Sequence, residues 1–153
     1  MIKVNVEVNN KSWHKKINNP KKYFVKKLKQ ISGIVKFFKK KNITFTILLT
    51  NSLNMKKLNK KFRNCNKSTD VLSFPFFLPN NLKLIKQKNF YIGDIAVSYE
   101  IINLRSKKNN FIPEFDKVWV HGLLHLVGYN HVANKDYFKM NKIEKKILNS
   151  ISY

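Results

Sequence analysis

The chain is poor in acid. Eight Asp and Glu stand against 31 Lys and Arg in 153 residues, a formal net charge of +23. Such a balance points to polyanionic partners, nucleic acid first and an anionic membrane surface second. Nearly all the basic residues are lysine, and Asn, Ile and Phe are also abundant. A/T-rich coding produces that mixture, so part of the excess charge has a mutational origin. Arginine is scarcer still, with Arg63 and Arg105 alone. Against a lysine bias, a retained arginine suits a place that uses its planar fork on phosphate or carboxylate. A structural salt bridge is the competing account, and the preferred one for Arg105.

The single cysteine, Cys65, excludes an internal disulfide and suits a cytoplasmic setting. No run of about 18 apolar residues occurs, so no membrane-spanning helix is expected. Met1 to Asn10 alternates polar and apolar residues, where a signal peptide would be continuously apolar. There is no internal repeat and no low-complexity linker. The length fits one domain, 1–153, able to bury a sizeable core, and a 43% hydrophobic share excludes general disorder.

Histidine is also rare, yet three of the four histidines fall within His121-Gly-Leu-Leu-His125-Leu-Val-Gly128-Tyr-Asn-His131. His121 and His125 are one helical turn apart and share a face. Gly128 offers a left-handed helix end, after which the chain can bring His131 back. Three neutral imidazoles converging on one point suit one zinc ion with an open fourth position. The pattern H-x3-H-x2-G-x2-H is that of the metzincin peptidases with one change. Gly122 stands where those enzymes carry the glutamate base. Peptidase chemistry is therefore disfavoured. Either a carboxylate from elsewhere serves as base, or the metal makes a strong base unnecessary.

Along the chain, Ile2, Val4, Val6 and Val8 alternate as a strand does. Pro20 suits the start of a helix reaching Lys41, with Phe24, Leu28, Ile31, Ile34, Val35 and Phe38 at helical spacing. Ile43–Leu49 reads as a strand, and Asn51 or Ser52 can cap a helix through Phe62. Residues 64–70 are loop-like. Val71–Phe77 reads as an edge strand interrupted by Pro75, 79–88 as a basic loop, Phe90–Ser98 as a strand and Tyr99–Lys107 as a helix. Pro113, Glu114 and Asp116 suit the first turn of the histidine helix, which is apolar nearly all round and so expected to be central. A last helix spans Asn134–Ser150. The expectation is an α+β fold, a mixed sheet of about four strands packed with about five helices.

Several segments together are similar to one family, the YbeY-type endoribonucleases, bacterial rRNA maturation factors. HGLLHLVGYNH resembles that family's H-G-x-L-H-L-x-G-Y-D-H signature. Thr69-Asp70-Val71-Leu72-Ser73-Phe74-Pro75, Leu58 to Arg63, Gly93-Asp94-Ile95, and Met140 with Glu144 resemble further family segments, in order, from about residue 45 to the end. Two departures stand out. Asn130 replaces an aspartate before the third histidine, where it serves either the turn or the orientation of a ligand. Asn66-Lys67-Ser68 replaces acidic and proline residues.

The resemblance implies one zinc ion on His121, His125 and His131, and a metal-dependent, single-strand-specific endoribonuclease. It places the activity in rRNA maturation, at the 3′ end of 16S rRNA, and in ribosome quality control. Its implied partners are rRNA and the small ribosomal subunit, with ribosomal proteins and ribosome-associated GTPases as further candidates. No membrane and no stable oligomer are expected. The catalytic candidates are His121 and Arg63, the latter as a phosphate clamp. Lys60, Lys61 and Lys67 join Arg63 as RNA-binding candidates. Asp70 and Asp94 are candidate bases or partners behind the ligands, and Asn130 a candidate partner, against simpler readings as a loop cap, a strand-end hydrogen bond and a turn. A non-catalytic assembly factor with a structural zinc, and a degenerate metallopeptidase-like hydrolase, are the alternatives.

Overall fold

The computed structural model describes residues 1–82, 84–108 and 110–152. Its elements are β1 (Ile2–Val8), a 3-10 turn (Lys11–Lys15), α1 (Pro20–Ile31), α2 (Lys36–Lys40), β2 (Asn42–Thr50), α3 (Ser52–Arg63), β3 (Val71–Pro75), α4 (Pro79–Leu82), β4 (Asn89–Ser98), α5 (Tyr99–Arg105), α6 (Phe111–Leu126) and α7 (Asn134–Ile151). The strand order is β1-β2-β4-β3. β1, β2 and β4 run parallel, and β3 lies antiparallel to β4 at the edge. This is the expected α+β architecture with a mixed four-stranded sheet.

Local chemistry accounts for the element ends. Asn19 Oδ1 accepts the Lys22 amide at 2.9 Å with Pro20 at the first helical position, and Asn51 Oδ1 caps α3 through the Asn54 amide at 2.9 Å. The helix expected across 20–41 is broken. α1 stops at Ile31, and α2 begins after Val35, which is extended. Ser32-Gly33 lies at the break, and glycine inside a helix costs about 1 kcal/mol relative to alanine. The apolar spacing survives the break because Phe24, Leu28, Ile31, Val35 and Phe38 are all buried. A short α4 also forms in the segment expected to be loop, so the described residues hold seven α-helices where about five were expected.

The period-2 pattern of β2 divides the molecule into two layers. Ile43, Phe45, Ile47 and Leu49 face the main core, together with Ile95 and Val97. α1 covers this face near β1, α6 covers it near β3 and β4, and α7 packs on both helices. On the opposite face, Leu48, Leu72 and Ala96 meet Met55 and Leu58 of α3. α6 is central, as expected: Phe115, Trp119, Val120, Leu123, Leu124 and Leu126 are fully buried. Near its start, Asp116 is 5% exposed. Its carboxylate accepts from the Tyr23 hydroxyl, from Lys27 Nζ at 2.8 Å and from Trp119 Nε1 at 2.9 Å. Lys27 Nζ also donates to the Ile151 carbonyl at 2.7 Å, so one network joins α1, α6 and the end of α7. No described helix is long and apolar enough to cross a membrane.

Candidate functional site

The last two turns of α6 present His121 and His125 on one side. The helix then ends as a Schellman motif. Gly128 (φ 89°) donates to His125 O at 3.1 Å, and Tyr129 donates to Leu124 O at 3.0 Å. Glycine is the natural residue at that left-handed position. The reversal brings His131 back, with its ring centroid 5.5 Å from His121 and 5.1 Å from His125. One ligand nitrogen from each of the three rings lies within 4.8 Å of the others.

Hydrogen bonds behind the rings set their tautomers. His125 Nδ1 donates to the Tyr129 carbonyl at 3.0 Å, and His121 Nδ1 donates to Glu144 Oε1 of α7 at 3.1 Å. A carbonyl and an ionised carboxylate can only accept, so each Nδ1 carries the proton and each Nε2 is left as a lone pair. Those two Nε2 atoms face each other at 3.0 Å. Opposed lone pairs at that distance suit a shared cation, and ring nitrogens backed by a carboxylate and a carbonyl are the usual support of a metal-ligating histidine. Burial first, and then the repulsion that a proton on His121 would exert, lowers the His125 pKa below the ordinary histidine value. His125 thus stays in the neutral form that ligation needs. The donor set fits one divalent ion on His121, His125 and His131.

Arg63 lies across the cleft from the histidines. It is the last residue of α3, whose end is fixed by left-handed Asn64 and by Asn59 Nδ2 donating to Lys67 O at 2.8 Å. Arg63 NH2 donates to Ser73 O at 3.1 Å, and the cleft of about 520 Å³ includes Arg63, Asp70, Ser73, Asn130 and the three histidines in its lining. Lys60, Lys61 and Lys67 are exposed nearby and do not line it. Asp70 is held by Arg105, in the salt bridge preferred for that arginine, and accepts the Val71 amide at 2.8 Å. Asp94 is on the opposite sheet face from the main core, taking the Tyr91 hydroxyl, so its described bonds are those of the sheet and not of the histidines. Asn130 Oδ1 faces the Val132 amide at 3.5 Å, a long contact of the Asx-turn kind.

Glu144 carries no local sign of its role. It lies 23 residues from His121 on another helix, and only its place in the M-x-x-x-E segment signalled it. We predict that Glu144→Ala weakens metal binding about 10- to 100-fold, with the fold kept. Calorimetric titration with zinc measures this, and an unchanged affinity would remove Glu144 from the site.

Gly122 has a packing reason. A Cβ there would sit 3.1 Å from Ile95 Cγ2, Ser73 Oγ and Val71 Cγ2, and the Gly122 carbonyl accepts the Ser73 hydroxyl at 3.1 Å. Position 122 faces the sheet and not the cleft, so a base cannot come from it.

A mixed sheet crossed by a helix whose last turns and following loop bring three imidazoles together, with an arginine opposite, defines a hydrolase-type site able to hold a metal ion and receive an anion. Comparison with known proteins agrees. The family model described as endoribonuclease YbeY matches residues 7–152. A Pelagibacter ubique protein named endoribonuclease YbeY is 47% identical over 151 residues, covering 96% of this chain and 94% of that one. A Bartonella quintana protein of the same name is 33% identical, covering 99% and 94%. The solution structure of a Thermotoga maritima protein shares the fold, with a TM-score of 0.63 at 24% identity over 99% of this chain and 89% of that one. The chain belongs to the endoribonuclease YbeY family.

Proposed function

We propose that this protein is a metal-dependent endoribonuclease that cuts single-stranded RNA in the cleft between α6 and β3. We place its work in the cytoplasm on rRNA of the small ribosomal subunit, in maturation of the 16S 3′ end and in quality control. One observation carries the reading: inward-facing imidazole nitrogens and an arginine fork line the same cleft. When bound, a divalent ion such as zinc supplies Lewis acidity for a phosphoryl oxygen and for water.

The chain's own residues do the rest. The Glu144 carboxylate and the Tyr129 carbonyl hold His121 and His125 in the ligating tautomer. The Ser73 carbonyl steadies Arg63, whose remaining N–H donors can grip a phosphate and offset charge that builds as the ester is cleaved. Asp70 lines the same cleft, paired with Arg105. The exposed lysines draw in the polyanion from a distance.

The test is cleavage of single-stranded RNA by nuclease-free, zinc-loaded protein, with metal content measured on the same samples. Arg63→Ala is expected to keep its metal and to lose about 100-fold in kcat, the scale of one transition-state donor. His121→Ala is expected to lose both metal and activity. Equal cleavage by all three preparations marks a contaminant. A wild type that binds rRNA and zinc without cutting makes the assembly-factor reading the better one.

A further inference from the structure

The sheet face opposite the main core is only partly covered by α3. Beyond Leu58 an aromatic row is left in the open. Phe62 and Phe76 are 57% and 68% exposed. Phe62 meets Phe74 with ring centroids 5.1 Å apart, and Phe76 meets Tyr91 at 6.1 Å. The register puts these rings on one surface: Phe74 lies opposite Asp94, Asp94 opposite Thr46, and Tyr91 opposite Thr44. Tyr91 is held in place through its hydroxyl, bonded to Thr46 Oγ1 at 2.8 Å and to Asp94.

The row is joined to the cleft. A groove of about 530 Å³ lined by Phe62, Arg63, Ser73, Phe74 and Pro75 shares Arg63, Ser73 and Pro75 with the histidine cleft. A strand entering past the histidines therefore meets Arg63 and then, around the β3 edge, the rings. Apart from Asp94, whose carboxylate takes the Tyr91 hydroxyl, the rings are flanked by basic residues. α3 carries Lys56, Lys57, Lys60, Lys61 and Arg63 with no acidic residue, and Lys61 Nζ lies 5.3 Å over the Phe62 ring.

Exposed rings interleaved with cations are what an unpaired nucleic acid strand requires: faces for its bases and charge for its backbone. Protein interfaces, in contrast, are depleted of lysine at their centres. A duplex buries its base faces in its own stack and gains nothing from the rings. We propose that Phe62, Phe74, Phe76 and Tyr91 form a base-stacking platform for single-stranded RNA flanking the scissile phosphate. The proposal rests on the nuclease reading above and deepens it: the rings, not the metal cleft, select unpaired substrate.

Phe62 and Phe76 are exposed enough to replace without disturbing the core, and melting curves check this. Fluorescence anisotropy would measure binding of a labelled 12-nucleotide single strand and of a duplex of equal length across a salt series. Phe62→Ala and Phe76→Ala are each expected to weaken single-strand binding about 10-fold and to leave the slope of log K against log salt unaltered, since no phosphate contact is lost. Phe62→Trp is expected to retain affinity, and duplex binding to be indifferent to all three changes. Wild-type affinity in both alanine variants, beside a wild type that cuts RNA, overturns the platform alone and leaves the face to a protein partner. Wild-type protein that neither binds nor cuts single strands overturns the platform and the nuclease reading together.

Discussion

Asp116→Ala is expected to destabilise the protein by about 3–5 kcal/mol, the cost of removing one partner from a buried ion pair. The carboxylate receives three donors from two helices at 5% exposure. Its removal takes the charge from beside Lys27, whose side chain is 1% exposed. The effect reaches past α6, because Lys27 also holds the last carbonyl of α7, the helix that carries Glu144. Urea denaturation tests this. A double replacement, Lys27→Met with Asp116→Leu, should recover much of the loss, since apolar groups of similar volume often match a buried pair. An Asp116→Ala midpoint equal to that of wild type would show that the network contributes nothing.

Gly122→Glu is the second large effect, and it separates this site from the peptidases whose spacing it shares. The substitution restores the H-E-x-x-H pattern, yet we expect misfolded, insoluble protein and no peptidase. The new side chain would start 3.1 Å from Ile95, Ser73 and Val71. Overpacking of that kind costs about 1–3 kcal/mol, and forcing a carboxylate into the helix–sheet contact adds several more. Gly122→Ala should be far milder, because about 1 kcal/mol of helix propensity offsets the crowding. Soluble yield and thermal midpoints measure both variants. A stable Gly122→Glu protein that hydrolyses peptides would sink the packing argument.

The parts of this molecule that sequence shows well are those with a strict local period. The alternation at Ile2–Val8 became a strand with one half-buried face, the β-branched, apolar run Ile43–Leu49 became one with a buried face, and i, i+4 spacing with a glycine stop assembled three imidazoles. Pro75 correctly marked an edge strand. What sequence hid depends on distant pairing. Glu144 meets His121 across two helices, and the reason for Gly122 lies on β3 and β4. Asp94 takes the strand hydrogen bond of its simpler reading, on a face that only the register could settle. Ser32-Gly33 shows the limit of periodicity, since the apolar pattern continued through a break in the backbone.

The outer edge of β3 borders the cleft, and several of its backbone groups are blocked. Phe76 N and Asp70 O turn inward to β4, so the odd-numbered residues between them turn outward. Of these, the Val71 amide is capped by the Asp70 carboxylate, the Ser73 carbonyl by Arg63, and Pro75 has no N–H to give. An extended peptide adding itself as a fifth strand beside the histidines would find three of the main-chain groups it needs occupied or missing. Arg63, which lines the cleft, thus also caps the edge of the sheet.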